Sequence, residues 1–414
     1  MVGRRDLFRG GAAILTGAAL LKTKIGQADD APPPPPKPGT LPYTPVVTPN
    51  GKSLPFTMNG NWKEFRLVAE PVKQEFAKGM IVDAWGYNGS SPGPTIEAVE
   101  GDKVRIFVTN KLPERTAVHW HGVLLPNGMD GVGGLTQAHI PVGETFVYEF
   151  ELRQHGVQMY HPHSDEMVQM ALGMMGMFVI HPKVAEKPAI DRHFVYMLHE
   201  WAIPPGTSRP NPAIMTDFNL FTFNGRVFPG TDHLVVKKND RVRISIGNLS
   251  MDSHPIHIHG HRFAVSGTDG GVVPVSARWP ETTVNVPPGS TRTVEFVADA
   301  EGDWPLHCHK SHHTMNAMAH DLPNLIGVKQ GGVEQKIKKV LPGYMAMGGA
   351  GMGGMAAMDE PKNTLPMMTG TGPFGDIEMG GMFTVFKVRA GITSYADPGW
   401  YKHPAGTVAR KASK

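Results

Sequence analysis

The sequence predicts an all-β protein built from two β-sandwich domains, and three observations carry that expectation. Its 414 residues include 49 glycines and 37 prolines, a turn-rich composition that suits short strands better than a helical bundle. Short runs of alternating apolarity, such as Val104-Arg105-Ile106-Phe107-Val108 and Val242-Arg243-Ile244-Ser245-Ile246, are punctuated by Gly, Pro and Asn, as expected of strands with one buried face. The chain also repeats itself: Asp102-Lys103-Val104-Arg105-Ile106 begins 17 residues before His119, and Asp240-Arg241-Val242-Arg243-Ile244 begins 17 before His257. His119-Trp120-His121-Gly122 then aligns with His257-Ile258-His259-Gly260, and Gly143 and Gly289 each stand 18 residues ahead of a further histidine, His161 and His307.

In chain order, Gly3-Arg4-Arg5-Asp6-Leu7-Phe8-Arg9 and the apolar run to Leu21 resemble a twin-arginine export signal, with a small-residue cleavage site at Gly26-Gln27-Ala28. Residues 1–28 are therefore expected to be an export signal, and the chain periplasmic or secreted. The apolar run is too short for a stable membrane span. Residues 29–53 hold the proline run Pro32 to Pro36 and read as an extended linker. The first domain is expected over 54–188 and the second over 189–414. Inside the second lies a Met/Gly-rich insertion at about 343–381, with Met345, Met347, Met352, Met355, Met358, Met367, Met368 and Met379. It reads as a flexible loop, after which Met382-Phe383-Thr384-Val385-Phe386-Lys387-Val388 alternates as a strand returning to the domain. With 40 basic residues against 37 acidic, the chain has no charge excess to draw nucleic acid or an anionic membrane.

The chemistry is concentrated around the one cysteine, in His307-Cys308-His309-Lys310-Ser311-His312-His313-Thr314-Met315-Asn316-Ala317-Met318. A lone cysteine in an oxidising compartment cannot form an internal disulfide, which leaves a metal ligand or a free thiol. Thiolate and thioether are soft donors, and two histidines, a cysteine and a weak axial methionine make an electron-transfer copper site rather than a zinc cage. Side chains alternate across a strand, so Cys308 points to one face while His307 and His309 point to the other, towards a second metal site. Four His-x-His pairs occur: His119/His121, His161/His163, His257/His259 and His307/His309. At period two, each pair shares one strand face, and eight imidazoles suffice for a cluster of three coppers.

These four motifs, in this order and over nearly all of the globular region, resemble those of multicopper oxidases. The resemblance implies cupredoxin-like Greek-key domains and four coppers. It implies a type 1 copper on His254, Cys308, His313 and Met318, with Met315 as a nearby alternative to Met318. It implies a type 2 copper on His119 and His257, and two type 3 coppers on His121, His161, His163, His259, His307 and His309. Asp130, eleven residues after His119, matches an acidic position used by the family as a proton relay, and Asp130-Gly131 also spells a turn. The acid that often follows the type 1 histidine is replaced by Thr314, leaving a second relay residue undetermined.

The duplication allows a test of the first domain. His254 corresponds to Thr116, while Cys308, His313 and Met318 correspond to Pro162, Met167 and Leu172, so only the second domain can hold the type 1 site. That argues against copper nitrite reductases, whose mononuclear site belongs to the first domain. Only 91 positions separate His163 from His254, too few for a middle domain, and the chain resembles the small two-domain, laccase-like type. In that type the cluster lies between the first domain of one subunit and the second domain of its neighbour, which implies a homotrimer. By the same resemblance, electrons pass through Cys308 to the cluster, where dioxygen becomes water. The donor is a phenol or aromatic amine, or else Cu(I), which the Met-rich insertion favours. The alternative is a periplasmic copper-binding or copper-resistance protein with little turnover.

Overall fold

The computed structural model describes residues 41, 43–316, 329, 331–342, 344, 362–368 and 370–412. The export-signal segment 1–28, most of the proline-rich stretch, Met318, and the insertion methionines Met345, Met347, Met352, Met355 and Met358 lie outside the described residues.

The described chain forms two β-sandwiches with the same strand plan. In the first half, the long strand Trp62–Ala77 runs parallel to Lys103–Asn110, which pairs antiparallel with Thr145–Glu151. In the second, Arg192–Trp201 runs parallel to Arg241–Asn248, which pairs antiparallel with Ser290–Val297. The opposing sheets also correspond. The order Ile96–Val99, Gly176–His181, Gly156–Pro162, Val118–His119 in the first half matches Leu234–Lys237, Phe383–Arg389, Gly302–Cys308, His254–Ile258 in the second. The predicted duplication is thus a duplication of topology. The sheets are mixed rather than purely antiparallel, because a chain that crosses from one sheet to the other and back can set a strand down parallel to its new neighbour.

Alternation explains both the cores and the histidine faces. Trp120, between His119 and His121, is fully buried against Tyr148, Phe150, Tyr160 and Phe178, while its two neighbours turn the other way. The second core gathers Phe194, Ile244, Ile256, Val294, Leu306 and Phe386 around Cys308. Each fully buried side chain of this size stabilises by roughly 1.5–3 kcal/mol, which holds the strands and therefore the ligands in register. A third cluster, with Met159, Met177, Val195, Met197 and Leu249, seals the two halves against each other.

Two expectations need correction. The end of the proline-rich stretch is not a free linker: Val46 is buried, Val47 donates its N–H to the His193 carbonyl at 2.7 Å, and Val46 N–H donates to the Glu97 carboxylate at 3.0 Å. Apolar valines after the prolines give the segment something to bury. Nor is the C-terminal part of the insertion a bare loop. Asn363 bridges Ile81 and Thr207 through its side chain, Leu365 and Met367 are buried, and Asn316 N–H donates to the Met367 carbonyl at 2.7 Å. The returning strand appears as expected, as Phe383–Arg389, antiparallel to Gly302–Cys308. Among the described residues, no helix is long and apolar enough to cross a membrane.

Candidate metal centres

The cysteine centre lies inside the second sandwich. His254 opens the strand His254–Ile258 and Cys308 ends its neighbour Gly302–Cys308; His313 follows in a short 3-10 turn, Ser311–Thr314. Their ligating atoms converge: His254 Nδ1 and His313 Nδ1 are 3.0 Å apart, and Cys308 Sγ is 3.8 Å from the first and 3.6 Å from the second. All three are buried. Phe221 stacks on the His313 ring at 3.9 Å and fixes its plane.

The tautomers follow from the outer contacts. His254 Nε2 lies 2.8 Å from Ser250 Oγ and 3.4 Å from Glu200 Oε1, so a proton on Nε2 leaves the Nδ1 lone pair facing the sulfur. Burial holds His254 neutral, well below its ordinary value, and brings His313 to about 4, with Lys310 adding to the effect in both. Burial likewise pushes the Cys308 thiol up to about 12. Two neutral imidazole lone pairs and a thiol crowded into one apolar pocket are a poor arrangement for each other and a good one for a cation, which would draw off the thiol proton. The donors are those of a blue-copper site, so the residues present fit copper. The fourth expected ligand, Met318, lies outside the described residues; Met315 is described and caps the turn, donating its N–H to the His312 carbonyl.

The eight paired histidines fall into two sets of four. In the first half, His119 stands opposite His161 in the strand pairing, and the rings of His119, His121, His161 and His163 lie 5.3–6.3 Å apart, centroid to centroid, in the contacts they make. In the second, His257 stands opposite His307, and His257, His259, His307 and His309 form the matching set. Four rings donate Nδ1–H outward to backbone carbonyls: His119 to Asp130 at 2.8 Å, His161 to Pro162 at 2.9 Å, His257 to Thr282 at 2.7 Å and His307 to Cys308 at 2.8 Å. Each therefore keeps its Nε2 lone pair for a metal. The lone pairs meet: His121 Nδ1 is 3.3 Å from His161 Nε2, and His259 Nε2 is 3.1 Å from His307 Nε2. Burial lowers His121, His259 and His307 and takes His161 to about 3, so these rings are unprotonated donors near neutral pH. The sets do not join. Among the described residues no histidine ring of one set contacts a ring of the other, and His121 instead approaches the backbone of Gly289.

Asp130 lies beside His119. It follows the 3-10 turn Asn127–Met129; its carbonyl orients His119, and its carboxylate Oδ1 is 3.5 Å from His119 Nδ1. Gly131, at φ +89°, presses the loop onto the strand, where an added Cβ would lie 1.7 Å from the Val118 carbonyl oxygen. The turn and the histidine contact are one device. The first half carries no cysteine centre: Thr116 is buried and hydrogen-bonds Gln169 at 2.7 Å, Pro162 occupies the cysteine position, and Leu172 is core.

Two acids were not legible in the sequence. Glu200, at the end of its strand, is buried beside His254, accepts N–H bonds from Met251 and Asp252, and is raised to about 7, chiefly by burial. Glu166, which opens the helix Glu166–Ala171, reaches within 3.6 Å of His161 and 3.8 Å of His163. Glu166 follows His163 by three residues, a spacing that offered a signal once a helix was expected there; Glu200 left none. Of the unpaired histidines, His181 pairs with Glu97 and His193 with Ser245, as ordinary core residues do.

The comparisons agree with this geometry. Two family models, both described as multicopper oxidase, match residues 69–185 and 204–326, together more than half of the chain. Copper resistance protein A from Escherichia coli is 42% identical over 114 residues, covering 28% of this chain and 18% of that protein. A probable nitrite reductase-hydroxylamine oxidoreductase fusion protein from Kuenenia stuttgartiensis is 27% identical over 264 residues, covering 60% of this chain and 30% of that protein. The chain thus spans less than a third of the length of either curated relative. Among solved structures, the blue copper oxidase from Nitrosomonas europaea superposes with a TM-score of 0.58 at 26% identity, covering 78% of this chain and 85% of that one. The fold is the cupredoxin-like sandwich pair of such oxidases. The chain belongs to the multicopper oxidase family.

Proposed function

We propose that the protein couples the one-electron oxidation of a small reductant, a phenol, an aromatic amine or Cu(I), to the four-electron reduction of dioxygen to two waters. One observation carries the reading: Cys308 turns into the buried His254/His313 pocket while its chain neighbours His307 and His309 join the second histidine set, so a few covalent bonds link the two centres. Copper bound at these donors supplies one-electron redox chemistry at the first centre and dioxygen binding at the second. In this reading His254, Cys308, His313 and Met318 hold type 1 copper, His119 and His257 type 2, and His121, His161, His163, His259, His307 and His309 two type 3 coppers. The chain's own contribution is to fix the tautomers through backbone carbonyls, to keep the cysteine pocket dry, and to hold the Asp130 carboxylate beside His119 for proton delivery.

The separation of the two histidine sets supports a homotrimer, in which the first half of one subunit meets the second half of its neighbour in a closed ring. Export through a twin-arginine signal to the periplasm or beyond suits the lone cysteine. The likeness to a copper resistance protein favours a second reading, a copper-binding protein with little turnover.

Anaerobic copper loading followed by oxygen uptake separates the two. Four coppers per chain, blue absorption and uptake with a phenol or Cu(I) are expected; binding with no uptake under any reductant refutes the oxidase. Deleting residues 345–358 then tests the insertion: unchanged cuprous turnover removes it from the donor site.

A further inference from the structure

The loop that leads into the cysteine centre is built twice in this chain, and the first copy serves as a control for the second. In the second half Asn248 ties the loop: its Oδ1 accepts the Ser250 N–H at 2.9 Å, and its Nδ2 donates to the Asp252 and Val286 carbonyls, both at 2.8 Å. In the first half Asn110 does the same, with the Leu112 N–H at 2.9 Å and the Glu114 and Ile140 carbonyls at 2.8 and 3.0 Å. An asparagine therefore holds the backbone of this loop in either half.

What the second copy adds is polar and buried. Strand register sets Leu198 beside Asn248 and Ala69 beside Asn110, so Glu200 corresponds to Pro71, Ser250 to Leu112 and His254 to Thr116. Glu200 is 2% exposed; its Oε2 accepts the Met251 and Asp252 N–H groups at 3.1 and 3.2 Å, and its Oε1 lies 3.4 Å from His254 Nε2. The proton on that nitrogen is already accepted by Ser250 Oγ at 2.8 Å, whose hydroxyl donates to Asn248 Oδ1 at 2.6 Å. Ser250 thus suffices for the tautomer, and the first half shows that the loop needs no acid. A buried carboxylate is costly unless a positive charge answers it. Among the described residues no lysine or arginine pairs with Glu200, and Lys310, which acts on it from a distance, pairs with Asp252 at 2.9 Å. The charge that Glu200 answers is the one the cysteine centre is built to hold, on the far side of the His254 ring, where Nδ1 lies 3.8 Å from Cys308 Sγ.

We propose that Glu200 is a positioning residue that acts through His254 to hold copper in the cysteine centre at a lower reduction potential than His254, Cys308 and His313 alone would set. The inference rests on the type 1 assignment of those ligands. A fixed negative charge beside the ring favours Cu(II), the more highly charged state, over Cu(I). The centre is thereby a weaker acceptor toward its reductant and a stronger donor toward the second histidine set. Such a centre turns over easily oxidised donors and leaves poorly reducing ones untouched.

An anaerobic redox titration of the blue absorption tests this without turnover. Copper-loaded full chain is poised with ferricyanide and ferrocyanide in mildly alkaline buffer, beside Glu200→Gln and Glu200→Asp. Glutamine conserves shape and removes the charge, whereas aspartate keeps the charge and changes the reach. The expected result is a Cu(II)/Cu(I) ratio about tenfold or more lower in Glu200→Gln at any set potential, a rise of about 59 mV for one electron. Glu200→Asp should stay close to the unsubstituted chain. Loss of the blue centre in Glu200→Gln with its retention in Glu200→Asp supports the same assignment through occupancy. A potential unchanged or lowered in Glu200→Gln, an equal rise in both variants, or loss of the blue centre in both overturns the proposal and leaves Glu200 as a packing residue. An unsubstituted chain that binds copper without blue absorption overturns the type 1 reading itself, and the proposal with it.

Discussion

His257 faces His307 directly across the pairing of His254–Ile258 with Gly302–Cys308. His119 and His161 repeat that relationship in the first half. The residue after the second histidine differs, however, being Cys308 in one half and Pro162 in the other. Pro162 is one of three departures, with Thr116 in place of His254 and Met167 in place of His313, that leave the cysteine centre to the second half, where Cys308 supplies the thiol.

Changing that position should separate the centres. Cys308→Ser keeps the shape of the pocket but replaces a soft thiolate with a poor copper ligand. The expected outcome is loss of blue absorption and of one copper per chain, with the remaining copper retained and turnover abolished. Visible absorption and metal analysis on one sample check it. Retained blue colour would show that the assigned thiolate is wrong.

Asp130 offers its two oxygens to different tasks, since the backbone carbonyl orients His119 and the carboxylate lies next to the ring. Asp130→Asn keeps the first and removes the acid. Copper content should hold, while steady-state oxygen reduction falls by about tenfold to a hundredfold. Stopped-flow reoxidation of the reduced enzyme locates the loss. Full activity in the variant would leave Asp130 as a turn residue only.

Separate histidine sets make complementation possible. A chain with His119→Ala and His161→Ala lacks the first-half set, and a chain with His307→Ala and His309→Ala lacks the second. Each should be inactive alone. Refolded together in equal amounts, a ring of random order pairs intact sets at about a quarter of its junctions, and activity should return to about that level. No recovery, with mixed oligomers demonstrated by mass, would place the cluster within single chains.

His193 tests the pH dependence of stability away from the metal ligands. It is buried, hydrogen-bonded to Ser245 Oγ at 2.8 Å, and held neutral well below its ordinary value, first by burial and then by Arg243 and His181. The unfolded chain takes up a proton below about pH 6.5 and the folded chain does not. Stability is therefore complete above that pH and lost as pH falls. His193→Gln should flatten the acid limb of metal-free urea unfolding by up to about 1.4 kcal/mol per pH unit. Parallel limbs for the two chains would mean that His193 titrates normally.

The pattern of the sequence determined the two sandwiches, their duplication, the histidine sets and the cysteine centre. These depend on strand alternation and on ligand chemistry, both of which are local: a period of two places Trp120 in the core and His119 and His121 on the other face wherever the strand sits. The tertiary structure alone decided what depends on packing between distant segments. It set Glu200 against His254, 54 residues apart, kept the two histidine sets apart, and tied Val47 and Met367 into regions that read as linker and loop. Such contacts follow from which surfaces meet when apolar faces are buried, and no local spacing encodes that.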